Sequence, residues 1–268
     1  MTLNHRWQIR FAKLGIITLL CYLTIRIFYL DNPRFTLFEM CYAIVFFLAE
    51  SFLLLNSIGL FLTIWNVAKS KLDKKEPRFV SRPLESRHYP PVAVIVPARH
   101  EPSDILENTF TTLKNLNYPN KTIYFLDDST DEKYKKEAKR IAQKYSAKLF
   151  RRKKRHGAKA GIINDFINTT DEKYLAIFDA DQNPMPDFLL ETIPFLEANE
   201  NIAFVQTPQF YTNLDIGPVA KGSGMQQAIF FELICEGKNI HNAMFCCGTN
   251  VLFRKTALES VGGFDESS

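Results

Sequence analysis

The sequence predicts an α/β domain with a mostly parallel sheet, preceded by two membrane-spanning helices. The first quarter of the chain is apolar and aromatic, whereas the rest alternates short β-branched runs with amphipathic stretches. Unbroken apolar strands separated by helices belong to parallel sheets covered on both faces. Several of these strands are followed by acidic residues, and ligands of such sheets bind beyond the strands' carboxyl ends. Bulk averages hide this division: 268 residues, 46% hydrophobic, 23% charged and a net charge of +4 would fit a soluble protein of one or two domains.

Leu14 to Ile25 is almost wholly apolar, and Arg26 can lift its charge to the interface so that the span continues to Leu30. No small-residue cleavage site follows, which argues against a signal peptide. Phe35 to Asn66 is a second apolar run, interrupted by Glu39, Glu50 and Asn56, and longer than the roughly 20 residues that a bilayer requires. Glu50 lies mid-span, where an ionisable group is expensive unless it faces protein or water, so packing and functional roles both stay open. Arg6, Arg10 and Lys13 precede the first span, and Lys69, Lys71, Lys74, Lys75, Arg78, Arg82 and Arg87 follow the second. The connecting loop holds only Asp31 and Arg34, so the positive-inside rule puts both ends in the cytosol. The expected organisation is an anchor at 1–66, a basic juxtamembrane linker at 67–91 that lies against anionic headgroups, and an α/β domain at 92–268.

Within that domain, Val92–Val96 is a β-branched strand ending at Pro97, with Glu101 just beyond it. Ser103 is the expected N-cap of a helix carrying Leu106 and Leu113. Thr122–Leu126 is a strand leading to Asp127 and Asp128, and Glu132–Tyr145 a helix that Asp128 or Ser129 could cap. Lys148–Phe150 reads as a short strand, Ala158–Asn168 as a helix and Tyr174–Phe178 as a strand before Asp179. Phe188–Ala198 is helical, and Ile202–Gln206 is a further strand.

Asp179 and Asp181, one residue apart at a strand end, suit a hard divalent cation that also takes phosphate oxygens and water. Such a cation would neutralise charge on a diphosphate leaving group. Asp127 and Asp128 can accept hydrogen bonds from a nucleobase imide or ribose hydroxyls, unless one is spent on capping. The basic run Arg151–Arg155 opens a helix whose N-terminus, with Lys159, is placed for a diphosphate. It lacks the aromatic interleaving of a nucleic-acid surface, and no nucleic-acid partner is expected. Five cysteines without a C-x-x-C pair suit neither zinc nor a disulfide framework, and point to a reducing compartment. An apolar strand followed by Asp179-x-Asp181 also opens a phosphohydrolase class with Asp179 as nucleophile.

Five segments then stand in a recognisable order: His156-Gly157-Ala158-Lys159-Ala160-Gly161, Phe178-Asp179-Ala180-Asp181, Val205-Gln206-Thr207-Pro208-Gln209-Phe210, Phe245-Cys246-Cys247-Gly248-Thr249-Asn250 and Val261-Gly262-Gly263-Phe264. From about Glu50 onward the chain resembles the processive family 2 glycosyltransferases, bacterial cellulose synthase catalytic subunits above all. That resemblance argues against the phosphohydrolase, which has no place for the Gln-Thr-Pro and Cys-Gly-Thr segments. It implies a GT-A fold and inverting transfer of a hexose, glucose first, from a UDP-sugar to a growing β-linked polysaccharide such as cellulose. Asp127 and Asp128 would bind the uridine, whose pocket the stretch from Pro97 and Ala98 to Glu101 would line. Ala98-Arg99-His100 replaces the Thr-Tyr-Asn common there in cellulose synthases. Lys159 would hold the nucleotide, Asp179 and Asp181 a metal-diphosphate with Mg2+ or Mn2+, and Cys247, Gly248 and Thr249 would adjoin the acceptor sugar. The implied setting is a bacterial inner membrane, with the polysaccharide acceptor, the lipid bilayer and other synthase subunits as partners.

In that family the general base is the Asp of a Thr-Glu-Asp motif expected just after Gly-Gly-Phe-Asp, where this sequence reads Asp265-Glu266-Ser267-Ser268. The Gln-x-x-Arg-Trp motif and the later channel spans are not in the sequence either. The expectation is therefore a GT-A domain truncated before its base, in a fragment of a complete synthase. The alternative is a catalytically inert, membrane-anchored sugar-nucleotide-binding protein.

Overall fold

The computed structural model describes residues 4–30, 34–73 and 89–267. Most of the expected linker, including Lys74, Lys75, Arg78, Arg82 and Arg87, lies outside them, as does Asp31. The chain divides into two compact units: Met1–Arg78 with Gln209–Phe245, and Phe79–Pro208 with Cys246–Ser268.

In the first unit, α1 (His5–Leu30) and α2 (Leu37–Leu72) pack side by side. Both are long and apolar enough to cross a membrane. Thr36 starts α2 with a capping box, its hydroxyl accepting from the Glu39 N–H while the Glu39 carboxylate accepts from the Thr36 N–H. Glu50 is paired: its carboxylate lies 2.6 Å from Arg26 Nε and accepts from the Tyr22 hydroxyl at 3.3 Å. Phe11 meets Phe61 edge to face, and Lys13 lies over the Trp65 ring. The other part of this unit is α7 (Pro218–Ile229), a wide π turn (Phe230–Cys235) and α8 (Glu236–Ile240). Gly237 of α8 lies against Thr63 and Val67 of α2, where a side chain would clash, and Lys71 pairs with Glu236 at 2.8 Å.

The second unit is a three-layer α/β/α domain around a six-stranded sheet. Its elements run β1 (Val92–Ala98), α3 (Ser103–Lys114), β2 (Lys121–Asp127), α4 (Glu132–Lys144), β3 (Lys148–Phe150), α5 (Ala158–Ile167), β4 (Tyr174–Ile177), α6 (Phe188–Ala198) and β5 (Phe204–Gln206), then β6 (Val251–Arg254) and α9 (Lys255–Ser260). The order across the sheet is β3-β2-β1-β4-β6-β5, with the first four strands parallel and β6 antiparallel to both neighbours. The α/β class and the mostly parallel sheet are as the apolar strands predict. Alternate residues serve opposite layers: Val92, Val94 and Val96 meet Phe110 of α3, Ile141 of α4 and Leu189 of α6, while Ala93 and Ile95 meet Ile162 and Phe166 of α5. Covering on both faces is why these strands read as continuous apolar runs.

Three expectations are corrected locally. Ser103 is the first residue of α3, and Pro102 takes the cap position. Neither Asp128 nor Ser129 caps α4; Asp131 does, accepting from the Lys133 N–H. The sequence reading had no strand at Val251–Arg254, which joins the edge strand β5 to β4.

Candidate functional site

Parallel register brings the acidic strand ends together. Ala98 at the end of β1 pairs with Asp127 at the end of β2, and Ile95 pairs with Ile177, two residues before Asp179. Beyond these ends lies a cavity of about 400 Å³. Of the predicted site residues, Pro97, Ala98, Glu101, Asp128, Lys159, Asp179 and Asp181 line it. Arg99 of the expected Pro97–Glu101 wall lines it as well and His100 does not, while Arg155 and Ile162, to which the sequence reading gave no such role, line it too. Asp127 does not: it is 3% exposed, its carboxylate held by Arg151 at 2.7 Å and by the Ser129 N–H at 3.0 Å.

The basic run folds back over the carboxylates instead of standing in solvent. Arg152 donates to both oxygens of Asp128 at 2.8 Å, and Arg155 adds a third bond at 2.9 Å. Burial alone would raise the Asp128 carboxyl, but the two guanidiniums outweigh it and hold it below the usual range. Lys159 Nζ pairs with Asp179 and donates to the Gly248 carbonyl at 2.7 Å. Gly157, in the left-handed region at φ 53°, starts α5 without a side-chain cap, and the Glu266 carboxylate lies against it.

A scaffold behind the cavity fixes Asp179 and Ala180. The Asp179 N–H donates to Thr249 Oγ1 at 2.8 Å, and the buried Thr109 hydroxyl donates to the Ala180 carbonyl at 2.6 Å. Gln206 ties down the loop that carries Thr249: its side-chain amide donates to the Thr249 carbonyl and accepts from the Cys247 N–H, both at 2.9 Å. That is the local reason for a glutamine in the Gln-Thr-Pro segment. Cys247, Gly248 and Thr249 thus form a loop behind Lys159 and Asp179 and do not line the cavity. Burial pushes the Cys246 thiol up, so it sits there as a neutral small residue.

Two carboxylates can hold a cation only with other donors, and no group of three His, Cys, Asp or Glu side chains that could do so occurs among the described residues. An ion held by Asp179 and Asp181 would therefore complete its shell with water and phosphate oxygens, as hard divalent cations do.

Residues 93–262 match the model of glycosyl transferase family 2. The chain is 28% identical over 187 residues to the UDP-forming cellulose synthase catalytic subunit of Pseudomonas fluorescens, covering 67% of this chain and 24% of that one. It is 29% identical over 215 residues to the subunit of the same name from Xanthomonas axonopodis pv. citri, covering 77% and 27%. It thus spans about a quarter of the length of these relatives. Among solved structures, a mannosyltransferase from Pyrobaculum calidifontis in complex with GDP-Man and Mn2+ aligns over 79% of this chain and 57% of that one, at 19% identity and a TM-score of 0.58. That likeness supports the GT-A fold.

Proposed function

Because the chain belongs to glycosyl transferase family 2, we propose that its cavity holds the nucleoside diphosphate of a UDP-sugar. The parent protein would transfer a hexose, glucose first, to a growing β-linked polysaccharide such as cellulose. One observation carries this reading: carboxylates following β1, β2 and β4 line one cavity with Lys159 of the first turn of a helix. Relatives named as UDP-forming cellulose synthase subunits support the choice of nucleotide and acceptor.

In this reading Asp128 accepts from the uracil imide or ribose hydroxyls, with Pro97, Ala98 and Glu101 as the wall. Asp127 acts from behind, holding Arg151 and the Ser129 backbone. Lys159 exchanges Asp179 for the diphosphate, a short move for a flexible ammonium. Asp179 and Asp181 would hold a divalent metal, Mg2+ or Mn2+, which neutralises charge on the leaving diphosphate. Cys247, Gly248 and Thr249 support the acceptor side through the Lys159 and Asp179 contacts. The resemblance assigns the general base, and with it inversion, to a segment after Phe264-Asp265. Glu266 is not offered for that role, since His156 and Asn164 engage its carboxylate.

The membrane reading belongs here as well. Ala12 is the one buried residue among those described in α1, Val67 and Ala68 the two in α2. Large apolar side chains such as Phe28, Phe38, Tyr42 and Phe52 are exposed along both helices. A lipid bilayer would cover them, with the α/β unit on the cytosolic face of a bacterial inner membrane.

Isothermal titration of the detergent-solubilised chain with UDP tests the site. Binding should require Mg2+ or Mn2+ and should weaken at least about tenfold in Asp179→Asn. No UDP binding, or metal-independent binding indifferent to Asp179→Asn, would sink the proposal. Metal-dependent release of UDP from UDP-glucose would set the chain apart from an inert binding protein.

A further inference from the structure

We propose that His156, Asn164 and Glu266 form a clasp that positions the segment after Gly262 against the start of the helix carrying Lys159. The geometry is specific to that segment. Asn164 on α5 reads the Phe264 backbone on both sides, its Oδ1 accepting from the Phe264 N–H at 2.8 Å and its Nδ2 donating to the Phe264 carbonyl at 2.9 Å. The same Nδ2 donates to Glu266 at 2.8 Å. The other oxygen of Glu266 meets His156 Nδ1 at 2.5 Å. The Phe264 ring seats edge to face on Phe253 of β6, with centroids 5.5 Å apart. Two glycines with positive φ make room: a Cβ on Gly263 would strike the Asn164 amide, and one on Gly157 would strike the Glu266 carboxylate.

His156 faces carboxylates through both ring nitrogens, Glu266 at Nδ1 and Asp165 at Nε2, 3.1 Å away. Only the imidazolium donates from both. Arg152 is there as well, donating to the His156 carbonyl at 2.5 Å and lying 3.8 Å from Asp165. The hydrogen bond to Glu266 outweighs desolvation and raises the His156 pKa, and the bonds from Asn164 and His156 lower that of Glu266. The His156 contribution is therefore complete below its ordinary value near 6.5 and is lost as pH rises through the raised value. The Glu266 contribution is present above about 4.3 and is lost as pH falls through its lowered value.

Three residues after His156, Lys159 pairs with Asp179, so one stretch of chain carries the clasp and the donor contact. The consequence for catalysis rests on the glycosyltransfer reading: residues beyond Phe264 would be presented at a fixed place beside the donor. The role is positioning, since neither His156 nor Glu266 lines the cavity.

Hydrogen exchange of the peptide spanning Val261–Ser267, measured on the full chain between about pH 5 and 8 and corrected for intrinsic rates, tests the clasp. Protection should fall at least tenfold in Asn164→Ala and about fivefold in Glu266→Gln. In the wild type it should decline as pH rises through the His156 titration, and in His156→Gln that pH dependence should vanish. UDP affinity should stay within about twofold of wild type in Glu266→Gln. Unchanged protection in Asn164→Ala and Glu266→Gln, or a pH dependence that survives His156→Gln, overturns the clasp. So does a loss of UDP affinity in Glu266→Gln as large as that in Asp179→Asn, because Glu266 would then belong to the donor site. A wild-type chain that keeps the protection pattern but does not bind UDP would sink the donor reading and leave the clasp standing.

Discussion

Arg152 and Arg155 reach the same carboxylate from different surroundings. The Arg152 side chain is 4% exposed and its partner Asp128 10%, so removing Arg152 would strand a buried carboxylate. Breaking a buried pair from one side costs several kcal/mol, whereas surface pairs contribute little. Arg152→Ala should lower unfolding stability by about 3 kcal/mol in urea titrations. Arg155→Ala, at a side chain 40% exposed, should stay within about 0.5 kcal/mol of wild type. Lys159 presents the opposite balance. Its ion pair with Asp179 is 39% exposed on both sides and adds little to stability, yet the ammonium is the cation that a diphosphate would meet. Lys159→Ala should therefore leave the urea midpoint nearly unchanged while weakening UDP about tenfold in the same titration used for Asp179→Asn.

At the scale of elements, the parts that were legible in the sequence are those whose pattern is local. β1, β2 and β4 show as unbroken apolar runs because α3, α4, α5 and α6 cover both faces, and the observed α6, Phe188–Ala198, has the expected bounds. β6 did not show, because Val251–Arg254 is a short run whose partners are β4 and β5, both distant in sequence. The turn at Leu214–Ile216 and the helices from Pro218 to Ile240 carried no readable period, since Gly222, Gly224 and a π turn interrupt the helical repeat. At the cavity, the acidic strand ends were visible as residues, but the run of arginines read as the opening of a diphosphate-binding helix and not as the cover over Asp127 and Asp128. One motif glycine gains a role only in three dimensions. A Cβ on Gly161 would strike the His156 carbonyl and the Arg152 guanidinium, so the first turn of α5 can close over the basic run only with glycine there. Gly161→Ala should cost about 1–3 kcal/mol in spite of alanine's better helix propensity. A stabilised Gly161→Ala variant would show that the turn has room to relax.

For the molecule as a whole, the pairing of α1 with α2 includes a contact that a bilayer would make unusually consequential. Arg26 and Glu50 meet at 2.6 Å with side chains 21% and 25% exposed, and apolar residues surround them along both helices. In water such a pair would be worth little. In a hydrocarbon layer, either partner left alone becomes an uncompensated charge or must neutralise, whereas replacing both by leucine removes the polar groups together. Glu50→Gln and Arg26→Leu should each destabilise the hairpin by about 2–3 kcal/mol, and the double variant Arg26→Leu with Glu50→Leu should recover most of that loss. Thermal unfolding of the chain in lipid nanodiscs, scored by the separation of two cysteine-linked probes placed on α1 and α2, measures the effect. If the hairpin lay in water instead, the single variants would be nearly neutral and the doubly apolar variant would expose still more hydrophobic surface. The order of the three melting temperatures therefore tells whether lipid surrounds the pair, independently of any sugar-nucleotide measurement on the α/β unit.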